Sequence, residues 1–135
     1  MGGSQRLRIL LDTHIWLWSF REPQRIGPVL KRYLRDSKNE LWLSPVSTWE
    51  ALVLQRKGRV IIHQPAADWI AALTAPFREA PLTHAVAVTA ENLSFQHRDP
   101  VDRFLAATAK ILDLTLATAD TKLLGLGDIA TLANR

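Results

Sequence analysis

The hydrophobic pattern alternates between short continuous apolar runs and longer segments with helical periodicity. Continuous runs of this length are typical of strands buried on both faces, and they occur at residues 7–11, 41–43 and 114–117. Helical patterns occupy residues 14–20, 28–38, 47–57, 69–73, 85–93 and 100–112, followed by a short helix from residue 121 and an edge strand at 128–132. This alternation predicts an α/β fold of three layers, with helices on both faces of a mainly parallel central sheet.

Local signals set the ends of several of these elements. Asp99 and Pro100 are a cap and a first helical residue, so they predict where the helix over residues 100–112 begins. Ser47 is predicted to open the third helix, and Gly58 is predicted to end it. The chain between the later helices is interrupted by Pro65, Pro76 and Pro81.

Composition narrows the class of protein. A chain of 135 residues that is 47% apolar predicts one domain over residues 1–135, with residues 1–5 a tag remnant or a disordered segment. The absence of cysteine excludes thiolate zinc sites, cysteine nucleophiles and disulfide frameworks. No apolar run approaches the roughly 20 residues that a bilayer span needs, and residues 1–5 are not a signal peptide. We therefore expect a cytoplasmic protein with no membrane contact.

Four acidic residues fall where a parallel sheet gathers its ligands. Asp12 ends the first strand, and Asp120 follows the last central strand by two residues. Glu50 and Asp102 are each predicted to lie on the first turn of a helix. Parallel sheets bind ligands beyond the carboxyl ends of their strands, so these carboxylates are expected to meet at one edge. Their mutual repulsion would be relieved by a hard divalent cation such as Mg²⁺.

Three of these acids also have a local structural explanation. The segment from Ser47 to Glu50 fits a capping box, and Asp102 suits the positive end of a helix dipole. Asp120 has the position of a simple helix cap. Asp12 has no such local explanation, because it directly follows a buried strand.

The balance of charge favours an anionic partner. The chain has 17 Lys and Arg against 13 Asp and Glu, a net charge of +4. Without the four clustered acids, 17 basic residues would face nine acidic ones, a net of +8. A positive body around an acidic pocket suits a nuclease that attracts a polyanion and holds a cation at its centre.

Four segments of this chain resemble signatures of a known family. They are ILLDTH (9–14), LSPVSTWE (43–50), HRDPVDRFLAATA (97–109) and LATADTKL (116–123). In this order they are similar to the motifs of PIN-domain ribonucleases, and more narrowly to VapC-type toxins of bacterial toxin–antitoxin pairs. The resemblance implies a PIN-like α/β/α fold and Mg²⁺- or Mn²⁺-dependent endonucleolytic hydrolysis of RNA that leaves a 5′-phosphate.

The resemblance also implies roles for individual residues. Asp12 and Asp102 correspond to the central metal ligands, while Glu50 and Asp120 would act through waters or a second ion. Two further positions match polar residues that support the site in the family, Ser44 and Thr118.

Two positions near these acids differ from the motifs of the family. Asp99 adds a second acid three residues before Asp102, and it could be a ligand, a helix cap or a residue that holds water. His14 stands where the family often has Asn, and its ring is a candidate for orienting a carboxylate or contacting the substrate.

Basic residues close to the acids are candidates for gripping the substrate. Arg98 and Arg103 flank the acids at the start of the 100–112 helix, and Lys122 follows Asp120 by two residues. Each could reach a phosphate near the metal. The alternative is a structural ion pair that holds the start of the helix.

The segment at residues 15–20 is apolar nearly all round and so predicts a partner contact. Trp16 and Trp18 would lie about 200° apart on a helix, so one of them is expected to be exposed or covered by another chain. The resemblance implies a VapB-like antitoxin and a homodimer, and we place Trp16 or Trp18 at the antitoxin contact. The alternative is that the segment is wedged between core layers.

Other functions fit the sequence less well. A catalytically inactive PIN-like module that only binds RNA is the main alternative, and the intact acid set argues against it. A phosphoacceptor receiver domain would need an Asp near mid-chain, but residues 51–67 contain none. A phosphatase of the haloacid dehalogenase type would need an Asp where His14 stands, and no glycine-rich phosphate loop occurs.

Overall fold

The computed structural model describes residues 6–94 and 99–135, and its centre is a five-stranded parallel sheet. The strand order is β3-β2-β1-β4-β5, and each neighbouring pair runs parallel. The strands are Arg8–Leu11 (β1), Glu40–Leu43 (β2), Arg78–Glu79 (β3), Thr115–Thr118 (β4) and Ala130–Ala133 (β5). The first strand is therefore central, and its carboxyl end lies between those of β2 and β4.

Helices in the described part of the chain cover both faces of this sheet. They are Thr13–Arg21 (α1), Pro28–Arg35 (α2), Pro45–Arg56 (α3), Ala66–Thr74 (α4), His84–Asn92 (α5), Pro100–Leu112 (α6) and Thr121–Leu124 (α7), with a 3₁₀ turn at Pro23–Arg25. None of these helices is long and apolar enough to cross a membrane.

Two hydrophobic cores lie on opposite faces of the sheet because side chains alternate along each strand. Leu10 and Leu116 point into the core that is completed by α5 and α6. Ile9, Leu11 and Ala117 point into the other core, which α1, α2 and α4 complete. The prediction of a three-layer α/β/α fold with a parallel central sheet is confirmed.

The third helix begins earlier than the sequence predicts. It begins at Pro45, and the hydroxyl of Ser44 caps it by accepting a hydrogen bond of 3.1 Å from the backbone N–H of Val46. Proline suits the first helical position because its fixed φ is already helical and it has no N–H to satisfy. Ser47 is therefore the third helical residue, and Glu50 lies on the second turn. Both the capping-box explanation of Glu50 and its predicted first-turn position are wrong.

One strand is absent from the sequence-based prediction. β3 has two exposed polar residues, Arg78 and Glu79, between Pro76 and Pro81. A strand this short and polar has no hydrophobic pattern, and it exists because it pairs with Trp42 and Leu43 of β2. The other predicted elements are present, with ends that differ by at most three residues.

Candidate active site

Two neighbouring strands bring two of the predicted acids together. Asp12 directly follows β1, and its backbone N–H donates a 3.0 Å hydrogen bond to the carbonyl of Ala117 in β4. Asp120 lies two residues beyond the end of β4. The two carboxylates therefore share the carboxyl edge of the sheet, as the strand pattern predicts.

Two helices bring the other two acids to the same edge. Asp102 is the third residue of α6 and is 9% exposed, while Glu50 lies half-buried on the second turn of α3. The helices α3 and α6 contact each other. Asp99 caps α6, because its Oδ1 accepts a 3.0 Å hydrogen bond from the N–H of Val101. Of the three roles considered for Asp99, the structure therefore shows the cap.

All four acids line one open cavity of about 390 Å³. Its other lining residues are Asp99, His14, Trp18 and Ala119. The cavity thus gathers five carboxylates from four separate parts of the chain. The predicted convergence of the acids is what the structure shows, and His14 lies among them.

Burial dominates the electrostatics of Asp12, which is 6% exposed. Desolvation raises the pKa of the Asp12 carboxyl, and the charge of Asp120 adds to this rise. The hydrogen bond from the Thr118 hydroxyl, the charge of His14 and the N–H of Thr13 act in the opposite direction. Burial prevails, so the ionised form of Asp12 is destabilised in the protein alone.

Glu50 is in a similar position. Burial raises the pKa of its carboxyl, and the charges of Asp99 and Asp12 raise it further. A hydrogen bond with the Thr13 hydroxyl and the charge of His14 lower the pKa in part. Two carboxylates are thus held where only a cation or a proton would fully stabilise them.

Thr118 connects two of the acids. Its hydroxyl donates a 2.6 Å hydrogen bond to Oδ2 of Asp12 and accepts a 3.0 Å hydrogen bond from the backbone N–H of Asp120. Asp120 in turn caps α7, since its Oδ1 accepts a 2.8 Å hydrogen bond from the N–H of Lys122. The contacts of Thr118 are those of a residue that supports the site.

Two hydroxyl groups that the sequence does not point to lie beside the acids. Thr13 and Ser47 are fully buried, and their hydroxyl oxygens lie 2.8 Å apart. Because Thr13 also hydrogen bonds with Glu50, these hydroxyls join the start of α1 to α3 and steady the Glu50 carboxylate. The spacing of Ser47 three residues before Glu50 predicts a capping box, and it does not point to Thr13, which lies 34 residues before Ser47 in the chain.

Ser44 lies apart from the acids. Its side chain is 1% exposed and caps α3, and it lines a different cavity, together with Thr48, Phe77 and Glu79. Ser44 therefore caps α3, the helix that carries Glu50, and its predicted supporting role stays a prediction.

The basic residues predicted to grip the substrate are differently placed. Arg103 is not directed to a phosphate site: its Nε donates to the carbonyl of Ala90 at 3.0 Å, and its Nη2 donates to the carbonyls of Glu91 and Leu93 at 3.2 and 3.3 Å. The structure therefore directs Nε and Nη2 of Arg103 to the end of α5, and the predicted substrate contact of Arg103 stays a prediction. Lys122 is exposed on α7 and does not line the acidic cavity, and Arg98 lies outside the described residues.

The two tryptophans of α1 have different environments. Trp16 is fully buried; its indole N–H donates to the carbonyl of Leu73 at 3.2 Å, and its ring packs against Phe20 and Trp69. A partner contact through Trp16 is therefore wrong, because α4 already covers that side of α1.

Trp18 faces the acidic cavity. Its ring is half-buried, and the guanidinium carbon of Arg25 lies 4.3 Å from the ring centroid. The His14 ring lies 5.9 Å away, centroid to centroid. Of the two indoles, Trp18 is the one that a ligand or partner at the cavity could reach.

The donor atoms suit a hard divalent cation. Over residues 6–94 and 99–135, no group of three His, Asp or Glu side chains is already arranged to hold a metal ion. Mg²⁺ does not need such a cage, because it commonly binds through one or two carboxylates and keeps several waters. An open cavity lined by carboxylate oxygens therefore fits hydrated Mg²⁺ or Mn²⁺ better than a closed zinc site.

Comparison with known proteins gives consistent matches. The family model of the PIN domain matches residues 9–128, a range that includes all four acids. Ribonuclease VapC22 from Mycobacterium tuberculosis (strain ATCC 25618 / H37Rv) is 32% identical over 116 residues, which is 85% of this chain and 88% of that protein.

Solved structures show the same fold. VapBC2 from Rickettsia felis, bound to a DNA fragment from its promoter, aligns with a TM-score of 0.72 at 12% identity, covering 94% of this chain and 98% of that one. A toxin–antitoxin complex from Klebsiella pneumoniae aligns with a TM-score of 0.69 at 18% identity, with the same coverage.

Proposed function

Because this chain belongs to the PIN-domain family, we propose that it is a metal-dependent endoribonuclease toxin that a cognate VapB-like antitoxin inhibits. The observation that carries the proposal is the cavity into which the fold brings Asp12, Glu50, Asp102 and Asp120. The similarity to a protein named as a ribonuclease supports RNA as the substrate.

In this proposal, Asp12 and Asp102 hold Mg²⁺ or Mn²⁺, and Glu50 and Asp120 act through waters or a second ion. When bound, the cation lowers the pKa of a water and neutralises charge on the phosphate. Thr118 fixes the Asp12 carboxylate for this task through its 2.6 Å hydrogen bond. Burial raises the pKa of Glu50, and a cation in the cavity would act against this rise by stabilising the Glu50 carboxylate.

A cleavage assay tests this function. A pool of mixed RNA is incubated with the protein in Mg²⁺, Mn²⁺ or excess EDTA, and 5′-phosphate ends are measured. We expect Asp12→Asn and Asp102→Asn to lower the rate by at least about a hundredfold, because each removes a charged metal ligand. Asp68→Asn is the matched control, since Asp68 is exposed on α4 and does not line the cavity. Full activity of the two variants in EDTA would refute the mechanism.

The main alternative is a PIN-like RNA-binding module without catalysis. Such a module would bind RNA equally well before and after Asp12→Asn and would release no 5′-phosphate in any metal. Metal-dependent cleavage that Asp12→Asn removes would exclude it.

We also propose an antitoxin contact at Trp18. The solved structures with this fold include complexes titled VapBC and toxin–antitoxin, and Trp18 is the indole of α1 that remains reachable at the cavity. Trp18→Ala should weaken binding of the cognate antitoxin in calorimetry by at least tenfold, the typical effect of truncating a buried aromatic anchor. The control is Trp49→Ala, because Trp49 is 58% exposed and lies outside the cavity. Equal affinity of Trp18→Ala and the wild type would contradict this placement.

Two further properties belong to the same proposal. We infer a homodimer, which sedimentation of the purified chain would test through the mass of the particle. We also infer a cytoplasmic location, because RNA for cleavage and an antitoxin partner would both be available there. Fractionation of expressing cells would check the location directly.

A further inference from the structure

A cluster of three arginines lies away from the acidic cavity, on the β3 side of the sheet. Arg6, Arg8 and Arg78 surround the carboxylate of Glu40 and the ring of Trp42, and we call this group the arginine patch. We propose that the arginine patch binds backbone phosphates of single-stranded RNA outside the scissile bond. The inference rests on the proposed function, since it takes the polyanion to be the RNA substrate.

One carboxylate orders all three guanidiniums. The Glu40 oxygens lie 2.6 Å from Nη2 of Arg6, 3.7 Å from Nε of Arg8 and 3.6 Å from Nη2 of Arg78. The guanidinium carbons of Arg8 and Arg78 lie 5.0 and 5.9 Å from the ring centroid of Trp42, whose N–H donates to Oε1 of Glu40 at 3.2 Å. The cations are therefore held in place before any ligand arrives.

Strand register produces this arrangement. Arg8 of β1 pairs with Glu40 of β2, and Trp42 of β2 pairs with Arg78 of β3. Paired residues on neighbouring strands share a face of the sheet, and Glu40 and Trp42 are two residues apart, so all four side chains lie on one face. The side chains of Arg6, Arg8 and Arg78 are 61%, 41% and 61% exposed, so this part of the face is open to solvent.

The charge of the patch exceeds what a structural ion pair needs. Three guanidiniums against one carboxylate leave two positive charges, and the side chains of Arg6 and Arg78 are each 61% exposed. A single arginine would satisfy Glu40, while three held together repel one another. Each guanidinium presents five N–H donors in a planar fork that matches phosphate oxygens, so the unused donors suit a phosphate backbone.

The negative charge of the acidic cavity favours a separate positive site for RNA binding. Its five carboxylates outweigh the charge of one divalent cation, so the cavity alone repels an RNA chain. Of the two predicted substrate-binding residues within the described part of the chain, Arg103 donates to carbonyls of α5 and Lys122 does not line the cavity. Cations outside the cavity would therefore supply affinity for a polyanion.

The distance between the two sites suits one bound RNA strand. Arg8 lies four residues before Asp12 along β1, and a strand rises about 3.3 Å per residue, which gives about 13 Å between their Cα atoms. Leu10, between them on the same face, is fully buried under α5 and α6, so a strand that reached both sites would pass around the β3 edge of the sheet. An RNA of several nucleotides can follow such a path, whereas a dinucleotide held in the cavity is too short for it.

Binding, rather than cleavage, tests the arginine patch. Anisotropy of a labelled 12-nucleotide RNA is measured with the full chain in EDTA at a series of salt concentrations, with a labelled dinucleotide as a second probe. Arg6→Gln combined with Arg78→Gln should reduce the slope of log affinity against log salt by about 1.4, since each lost phosphate contact on a single strand is worth about 0.7. The affinity for the 12-mer should fall about tenfold at 0.1 M salt, and that for the dinucleotide should not change.

Two control variants separate the patch from general charge. Arg32→Gln combined with Arg56→Gln removes the same charge from exposed positions elsewhere and should leave most of the slope. Arg6→Lys combined with Arg78→Lys keeps the charge and should restore the slope. An unchanged slope in the patch variant, or an equal loss of slope in the control pair, would overturn the proposal. Polyglutamate, an acidic peptide, serves as a third probe. If the patch variant lost binding to polyglutamate but bound RNA like the wild type, the patch would not be an RNA site. The readout does not depend on cleavage, so a chain that bound RNA at the patch and never cut it would refute only the proposed function.

Discussion

Replacing Thr118 with Val removes one buried hydroxyl and leaves the shape of the side chain almost unchanged. The hydroxyl donates to the Asp12 carboxylate at 2.6 Å and accepts from the N–H of Asp120 at 3.0 Å, so both bonds are lost together. A hydrogen bond to a charged group contributes about 1.5–3 kcal/mol, and one between neutral groups about 0.5–1.5 kcal/mol. Asp12 is buried, whereas Asp120 is only half-buried. We therefore expect a loss of about 2–4 kcal/mol in the free energy of unfolding.

Urea denaturation at neutral pH measures this loss. For a domain of this size, about 2–4 kcal/mol corresponds to a midpoint lowered by roughly 1–2 M. Binding of Mg²⁺ and cleavage of RNA should fall about 10- to 100-fold, the usual cost of removing a residue that orients a metal ligand. Thr118→Ser retains the hydroxyl and should keep most of the activity. If Thr118→Val unfolds at the wild-type midpoint and cleaves at the wild-type rate, Thr118 does not orient Asp12.

Three further predictions concern pH, a helix end and a close backbone contact. Burial raises the pKa of Asp12, so the folded state holds this proton more tightly than the unfolded state; in EDTA, the contribution of Asp12 to stability should therefore fall as pH rises from about 4 through the raised pKa. Each pKa unit of rise corresponds to about 1.4 kcal/mol of stability. The difference in melting temperature between Asp12→Asn and the wild type, measured across pH, isolates the contribution of Asp12. A difference that did not change with pH would contradict the effect of burial. Arg103→Met should cost about 2–3 kcal/mol in urea denaturation by freeing carbonyls of α5, while cleavage per folded molecule stays within about twofold. Gly27→Ala would place a Cβ 2.0 Å from the carbonyl carbon of Arg135 and should lower stability by about 1–3 kcal/mol or more, and unchanged thermal unfolding would refute that contact.

The positions of the aspartates could be predicted from the sequence because each follows a local rule. Asp12 and Asp120 end or closely follow strands, and Asp102 lies on the first turn of a helix that its own cap and proline define. Parallel strands end at a common edge, so knowing which residues end them is enough to place the carboxylates. Short-range hydrophobic patterns likewise predicted the alternation of strands and helices that gives the three-layer fold.

Glu50 shows where local rules begin to fail. Two serines compete as the start of α3, and the sequence favours Ser47 because Glu50 follows it by three residues. In the folded chain, Ser44 caps the helix and Ser47 instead meets Thr13 of α1, 34 residues earlier. That contact depends on how two helices pack, which no pattern within α3 records.

The apolar pattern of α1 correctly indicated that more than one face of the helix must pack against other elements. The pattern could not show which element packs on each face. Trp16 is buried because α4 lies against it, through Trp69, 53 residues later in the chain. Trp18 is left at the cavity by the same packing. Arg103 was likewise placed correctly on α6, but its partners are carbonyls at the end of α5, which comes earlier in the chain.

For this protein, the amino-acid order by itself determined four of the five strands of the described sheet, the α-helices and the edge at which the carboxylates meet, because these follow from short-range periodicity and caps. Only the tertiary structure decided which side chains are covered, which donors are occupied and which cations gather around Glu40. The physical reason is that burial and pairing depend on groups far apart in the chain, whose distances are set when the layers pack together.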